Sequence, residues 1–131
     1  MLRVKTKLKN SNLHGIGLFA DQFIKKGTIT WEYDPEFDTA FTEEQVNRMP
    51  KVAQFIFWHY AYLDKELGKY VLCSDDQRFI NHSNNIFNIK SSTKFDMANR
   101  DINVGEELIC NYNGFEEGYF KRRDIDSSKF N

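Results

Sequence analysis

Arg78-Phe79-Ile80-Asn81-His82-Ser83-Asn84-Asn85 decides how the rest of this chain is read. Two apolar residues run straight into amides, an imidazole and a hydroxyl, with β-like segments on either side. Asn and Ser runs usually mark loops. Placed behind Phe79 and Ile80, such a run has two further uses. It satisfies buried backbone groups, or it holds a polar ligand through main-chain and side-chain bonds. The run alone leaves both open.

Composition narrows the setting. The 131 residues fit one domain, and 40% hydrophobic with 28% charged residues match an ordinary soluble globular protein. Aromatics at 15%, twelve of them Phe, predict an aromatic core or aromatic-lined surfaces. A net charge of -1 gives no overall electrostatic footprint for nucleic acid. Cys73 and Cys110 lack the paired spacing of a metal site, so reduced, buried thiols and no metal are expected. No apolar run reaches membrane-spanning length, and Met1-Leu2-Arg3-Val4-Lys5 lacks a signal-peptide core. The expectation is a soluble intracellular protein, cytoplasmic, or nuclear if its substrate is a chromatin protein.

Upstream of the central run, Leu2, Val4, Thr6 and Leu8 alternate with Arg3, Lys5, Lys7 and Lys9, which predicts a half-buried strand over 2–8. Gly15, Gly17 and Ala20, with Glu36 beyond, mimic a dinucleotide-binding fingerprint. That fingerprint needs a helix after the glycines to receive the pyrophosphate. Gly27 interrupts any such helix and no βαβ alternation follows, so an NAD-type oxidoreductase is excluded. The glycines still leave the backbone open to a ligand.

Thr28–Tyr33 is a β-branched and aromatic strand ended by Asp34-Pro35. Thr42-Glu43-Glu44-Gln45 forms a capping box for a short helix through Met49, and Pro50 starts another. Val52, Phe55, Ile56 and His59 share a helical face expected to be core. Phe57–Leu63 and Lys69–Cys73 read as a hairpin about Gly68. Short strands over 86–89, 95–100 and 107–110 follow, with a turn at Asn103-Val104-Gly105. A charged helix over 116–123 carries Tyr119 and Phe120. Many short strands with few helices predict a mainly β chain.

Three pieces stand in fixed order: Gly15 and Gly17, the Asn81-His82-Ser83 cluster, and Gly105-Glu106-Glu107-Leu108-Ile109-Cys110-Asn111-Tyr112. In these the chain resembles the SET-domain protein lysine methyltransferases, which carry a Gly-x-Gly entry, an Arg-Phe-x-Asn-His-Ser run and a Gly-Glu-Glu-Leu-x-x-x-Tyr terminal motif. Tyr33-Asp34-Pro35-Glu36 is similar to the family's Tyr-x-Gly-Glu strand end, with Pro35 in place of glycine. The resemblance covers about residues 2–115. It implies one SET domain over 1–131, with a C-terminal helical segment at about 115–125. The implied fold is a β-clip in which the segment ending at Tyr112 threads through a loop as a pseudoknot.

The same resemblance implies S-adenosylmethionine as cofactor and a lysine-bearing protein or peptide as partner, with no direct role for nucleic acid or membrane. The main chain at Ile16 and Gly17 would line the methionine part. Asn81 would bond its amino-carboxylate end, and the His82 main chain would meet the adenine. Tyr112 would sit at the methyl group as a catalytic residue, with Tyr33 as a second. Trp31, Trp58 and Tyr60 are further candidates for the channel wall. Glu107 is expected to support the fold by hydrogen bonding, and His14 and His59 to be ordinary surface or core histidines.

The departures carry expectations of their own. No cysteine follows Asn-His-Ser, where Asn84 and Asn85 stand instead. Cys110, two residues before Tyr112, occupies a position commonly filled by Phe or Tyr, and the smaller side chain predicts more than one methyl addition. No zinc-binding segment is present, so Phe115, Tyr119 and Phe120 are expected to cover the cofactor or substrate side. A catalytically silent SET-like domain, acting as an interaction module, is the rival reading.

Overall fold

A short strand from near the end of the chain sits between two strands formed well before it in sequence. The computed structural model describes residues 1–130, so Asn131, the last residue of the expected domain, lies outside the described residues. In chain order the strands are β1 (Thr6–Asn10), β2 (Ile16–Ala20), β3 (Ile29–Glu32), β4 (Thr39–Phe41), β5 (Tyr62–Asp64), β6 (Lys69–Leu72), β7 (Asn81–His82), β8 (Ile89–Ser91), β9 (Phe95–Ala98) and β10 (Ile109–Cys110). The α-helices are α1 (Glu43–Asn47), α2 (Lys51–Tyr60) and α3 (Tyr119–Arg122). No helix among the described residues is long and apolar enough to cross a membrane.

The strands form three small sheets, ordered β1-β2, β3-β9-β8-β10-β7 and β4-β6-β5. In the largest, β10 pairs parallel with both β7 and β8, setting Cys110 opposite His82 on one side and Ile89 on the other. Two residues in β10 give a weak ladder, and side chains reinforce it. Asn88 donates from Nδ2 to Glu107 O at 2.8 Å and accepts from the Ile109 amide at 2.9 Å, while its own amide donates to Ile109 O. One buried asparagine thus replaces several missing backbone bonds. Around this seam pack Leu18, Ile24, Ile89, Ala98, Ile102, Leu108 and Cys110, all buried. Trp31, Tyr62, Val71 and Cys73 make a second apolar cluster, and Val46, Phe57 and Ala61 a third.

The mainly β reading holds, as do the capping box at Thr42 and Gln45 and the turn at Gly105. Several boundaries move. The expected strand over 2–8 splits: Leu2 bridges to Trp31, and only 6–10 pairs with β2. Phe57–Tyr60 continue α2 instead of opening the hairpin, which begins at Tyr62.

The face of α2 expected to be core is the exposed one. Val52, Phe55 and Ile56 are 71%, 70% and 53% exposed, whereas Gln54 and Phe57 point inward. The reason is polar. The α1–α2 junction leaves carbonyls at Asn47 and Met49 without helical partners, and the Gln54 amide donates to both, at 3.0 and 2.7 Å. Turning Gln54 inward brings Phe57 and Ala61 with it, at spacings of three and four residues. We therefore expect Phe57→Ala to cost about 3–5 kcal/mol in chemical denaturation. Phe55→Ser should stay within about 0.5 kcal/mol of wild type.

Candidate active site

Tyr112 follows β10 directly, so the seating of that strand fixes its position. Its hydroxyl donates to Ile80 O at 2.6 Å and its amide donates to His82 Nδ1 at 2.9 Å. Its ring stacks on Phe120 at 5.8 Å and meets the edges or tilted faces of His82, Tyr119 and Phe115 at 4.9, 5.0 and 5.2 Å. Burial pushes the phenol pKa well up, so it stays protonated at neutral pH.

The Tyr112 amide can only donate, so His82 Nδ1 is the acceptor and the ring proton lies on Nε2, 3.0 Å from Asn84 Oδ1. Burial lowers the His82 pKa and keeps this neutral tautomer. His82 therefore acts through its side chain as well as its backbone, as the fastening between β7 and Tyr112.

Two cavities meet at Tyr112, which lines both, together with Ile80, Tyr60, His59 and Tyr119. The larger, about 170 Å³, is bounded by the Gly15–Ile16 main chain, Asn81, His82 and Phe120, with His14 and Phe79 at its edge. The smaller, about 50 Å³, has an aromatic wall of Trp31, Tyr60, Tyr62, Phe115 and Tyr119, into which Gln77 and Asp96 project as polar groups.

Asn81 holds the N-terminal glycine bend in place. Its Nδ2 donates to His14 O, Ile16 O and Glu107 Oε1, at 3.0, 3.3 and 2.8 Å. Glu107 Oε2 in turn accepts from Ser11 Oγ at 2.9 Å. With its donors committed, Asn81 has its carbonyl oxygen to offer a ligand, an acceptor suited to an ammonium group. Gly17 is needed for this network: a Cβ there would collide with the Glu107 carboxylate and stand 3.1 Å from Asn81 Nδ2.

The expected site residues sort unevenly. Ile16, Asn81, His82 and Tyr112 line the larger cavity; Gly17 stands behind it, its missing side chain making room for Glu107. Phe115 lies on the aromatic cavity, not on the one bounded by Asn81 and His82. Tyr33 lines neither: it packs beside the Trp31 cluster with the Lys94 ammonium 5.5 Å from its ring, because the chain turns away after β3 at Asp34-Pro35. Trp58 also faces elsewhere, against Tyr70 and the Arg122 guanidinium. Cys110 is fully buried and lines neither cavity itself, its thiol lying near Ser91 and Asp96. His59, Tyr62, Gln77 and Asp96 reach the site with no motif to announce them. Only the apolar setting of a lone acid, Phe95-Asp96-Met97-Ala98, offered a hint for the last.

The C-terminal segment covers the junction of the cavities. Glu116, 3% exposed, pairs with Arg122 through two bonds of 2.8 and 3.0 Å and accepts the Leu63 amide at 2.9 Å. The guanidinium lies 5.2–5.5 Å from the Trp58, Tyr70 and Tyr119 rings. That anchor holds Tyr119 and Phe120 against Tyr112.

Two predictions follow from this arrangement. His82→Ala leaves the Tyr112 amide without its acceptor and should cost about 1–3 kcal/mol at pH 7.5 by denaturant titration. The loss should shrink toward pH 5. A histidine held neutral stabilises fully above its unfolded pKa of about 6.5 and loses that contribution as pH falls through its lowered folded value. Gly17→Ala should cost a similar amount, about 1–3 kcal/mol, by expelling Glu107 from Asn81.

The SET domain family matches residues 15–113. No curated protein matches the chain. Among solved structures, an apo polycomb complex of Chaetomium thermophilum carrying Ezh2 mutations superposes with a TM-score of 0.68 at 24% identity, over 92% of this chain and 16% of that one. The same complex in an autoinhibited conformation bound to S-adenosylmethionine gives 0.63 at 22% identity, over 92% and 16%. A Plasmodium falciparum protein assigned as a histone methyltransferase gives 0.61 at 21% identity, over 85% and 95%. The chain spans only a small part of the polycomb subunits it matches, and at these identities the likeness speaks for the fold. With three quarters of its length matched by the family and its sheets arranged alike, this chain belongs to the SET-domain family.

Proposed function

We propose that the chain transfers a methyl group from S-adenosylmethionine to a lysine side chain of a protein or peptide. The observation that carries this is the placement of Tyr112 at the junction of two cavities, one bounded by the Gly15–Ile16 main chain, Asn81 and His82, the other smaller and walled by Trp31, Tyr62 and Phe115.

The larger cavity suits the cofactor by its donor set. The Asn81 carbonyl offers an acceptor for the amino group, the Ile16 backbone a wall, and the Phe120 ring a face for a purine. When bound, S-adenosylmethionine supplies an electrophilic methyl on a sulfonium. The chain's own task is alignment, because an in-line displacement gains most from holding donor and acceptor in register. A lysine amine with a pKa of ~10.4 costs about 4–5 kcal/mol to deprotonate at pH 7. Desolvation in the aromatic cavity lowers that cost, since burial disfavours the ammonium. The Tyr112 oxygen, its own proton held by Ile80 O, accepts an amine N–H and so orients the nitrogen lone pair. Tyr119 and Phe120 exclude water from above.

The test is methyl transfer to lysine-rich protein mixtures, with S-adenosylmethionine binding measured separately by calorimetry. Tyr112→Phe should bind the cofactor within about threefold of wild type yet lose about 10²–10⁴-fold in kcat, as expected for a group acting on the reacting amine. Cofactor binding without transfer to any lysine would support an interaction module instead. Absence of both would overturn the reading.

A further inference from the structure

Asp96 is the feature of the aromatic cavity that alignment of a methyl group does not require. It lies on β9, between Trp31 of β3 and Ser91 of β8 in register, and is 3% exposed. Yet it lines the cavity that Tyr112 closes. Gln77 Nε2 donates to its Oδ2 at 2.6 Å. Among the described residues no lysine, arginine or histidine forms an ion pair with it. Lys94, two residues away, is engaged by Asp64 and Glu66. Arg78 and His59 are the basic residues on the cavity, and Arg78 is exposed with its guanidinium over Phe79. The remaining neighbours are acids that stay neutral: Tyr62, Cys73 and Cys110 are all pushed up in pKa by burial, with the Asp96 charge adding to the effect.

We propose that Asp96 is the receptor and first proton acceptor for the substrate ammonium, a role that rests on reading this cavity as the amine channel. A buried carboxylate facing an aromatic-walled cavity is a site for a cation, and the slender space fits an alkylammonium chain. Burial, only partly offset by hydrogen bonds such as those from Gln77 and the Ser92 amide, pushes the Asp96 carboxyl up to about 7, so in this setting it takes a proton far more readily than an exposed carboxylate. One ammonium N–H bond breaks as an O–H bond forms on Asp96. The result is a neutral amine beside a neutral acid, with the nitrogen lone pair free for Tyr112 to orient. The carboxylate thus draws the substrate in as its abundant protonated form and removes the obstacle that form presents.

The test uses n-butylammonium as probe and 1-butanol as its neutral counterpart, read by calorimetry and by thermal shift on the whole chain. Wild type should bind the ammonium about tenfold more weakly at pH 6 than at pH 8, following Asp96 ionisation, while the alcohol shows no such trend. Asp96→Asn should weaken ammonium binding at least about tenfold and leave the alcohol unchanged. For methyl transfer, wild-type kcat/KM should level off above about pH 8, whereas the Asn variant keeps rising toward the lysine pKa of ~10.4. Equal binding of ammonium and alcohol, or ammonium binding flat with pH in wild type, would overturn the proposal even if the variant failed to fold. A wild type that binds ammonium as described but methylates no lysine would contradict the methyltransferase reading and the proton-transfer step, while the receptor role would stand.

Discussion

The seating of β10 between β7 and β8 is the constraint on which the site depends. Two residues of strand cannot hold that position through ladder bonds alone. The chain adds Asn88, whose side chain and backbone amide are committed to Glu107 and Ile109, and His82, whose Nδ1 takes the Tyr112 amide. These polar contacts sit within a buried apolar cluster, where an unpaired group would be costly and a paired one therefore specifies a single register. Tyr112 is placed as a consequence, and both cavities are defined by where it stands.

Function and stability use the same residues in different ways. Asn81 and Glu107 belong to a network that pins the Gly15 bend against β2, so their first duty is structural, and only the Asn81 carbonyl remains for a ligand. Arg122 and Glu116 do for the C-terminal segment what a metal cluster could do, locking Tyr119 and Phe120 over the junction. Asp96 is different. Its burial costs stability wherever it is ionised, because the folded chain holds its proton to higher pH than the unfolded chain does. A destabilising acid kept at a cavity wall is more readily understood through what enters the cavity than through what holds the fold.

Much of the site was legible in the sequence because it rests on short contiguous runs. Asn81-His82-Ser83 and the segment ending at Tyr112 carry both the strand pairing and groups that line the larger cavity. The fold class was legible from the density of short β-branched and aromatic stretches. What escaped was set by contacts distant in sequence. Whether Tyr33 or Tyr62 walls the aromatic cavity depends on how the chain leaves β3 and re-enters at β5, which no local pattern encodes. The apolar spacing of Val52, Phe55 and Ile56 looks like a core face, and the inward turn of α2 is decided instead by two orphan carbonyls at Asn47 and Met49. Beyond its apolar setting, Asp96 gave little signal, because one acid in a strand is ordinary until its neighbours are known.

The most direct measurement is a crystal structure of the chain with S-adenosylhomocysteine and a lysine peptide bound together. The account predicts the adenosyl product in the cavity bounded by Gly15–Ile16, Asn81, His82 and Phe120, and the lysine nitrogen in the aromatic cavity between Tyr112 and Asp96. A product bound elsewhere, or a lysine that approaches without passing Tyr112, would contradict it.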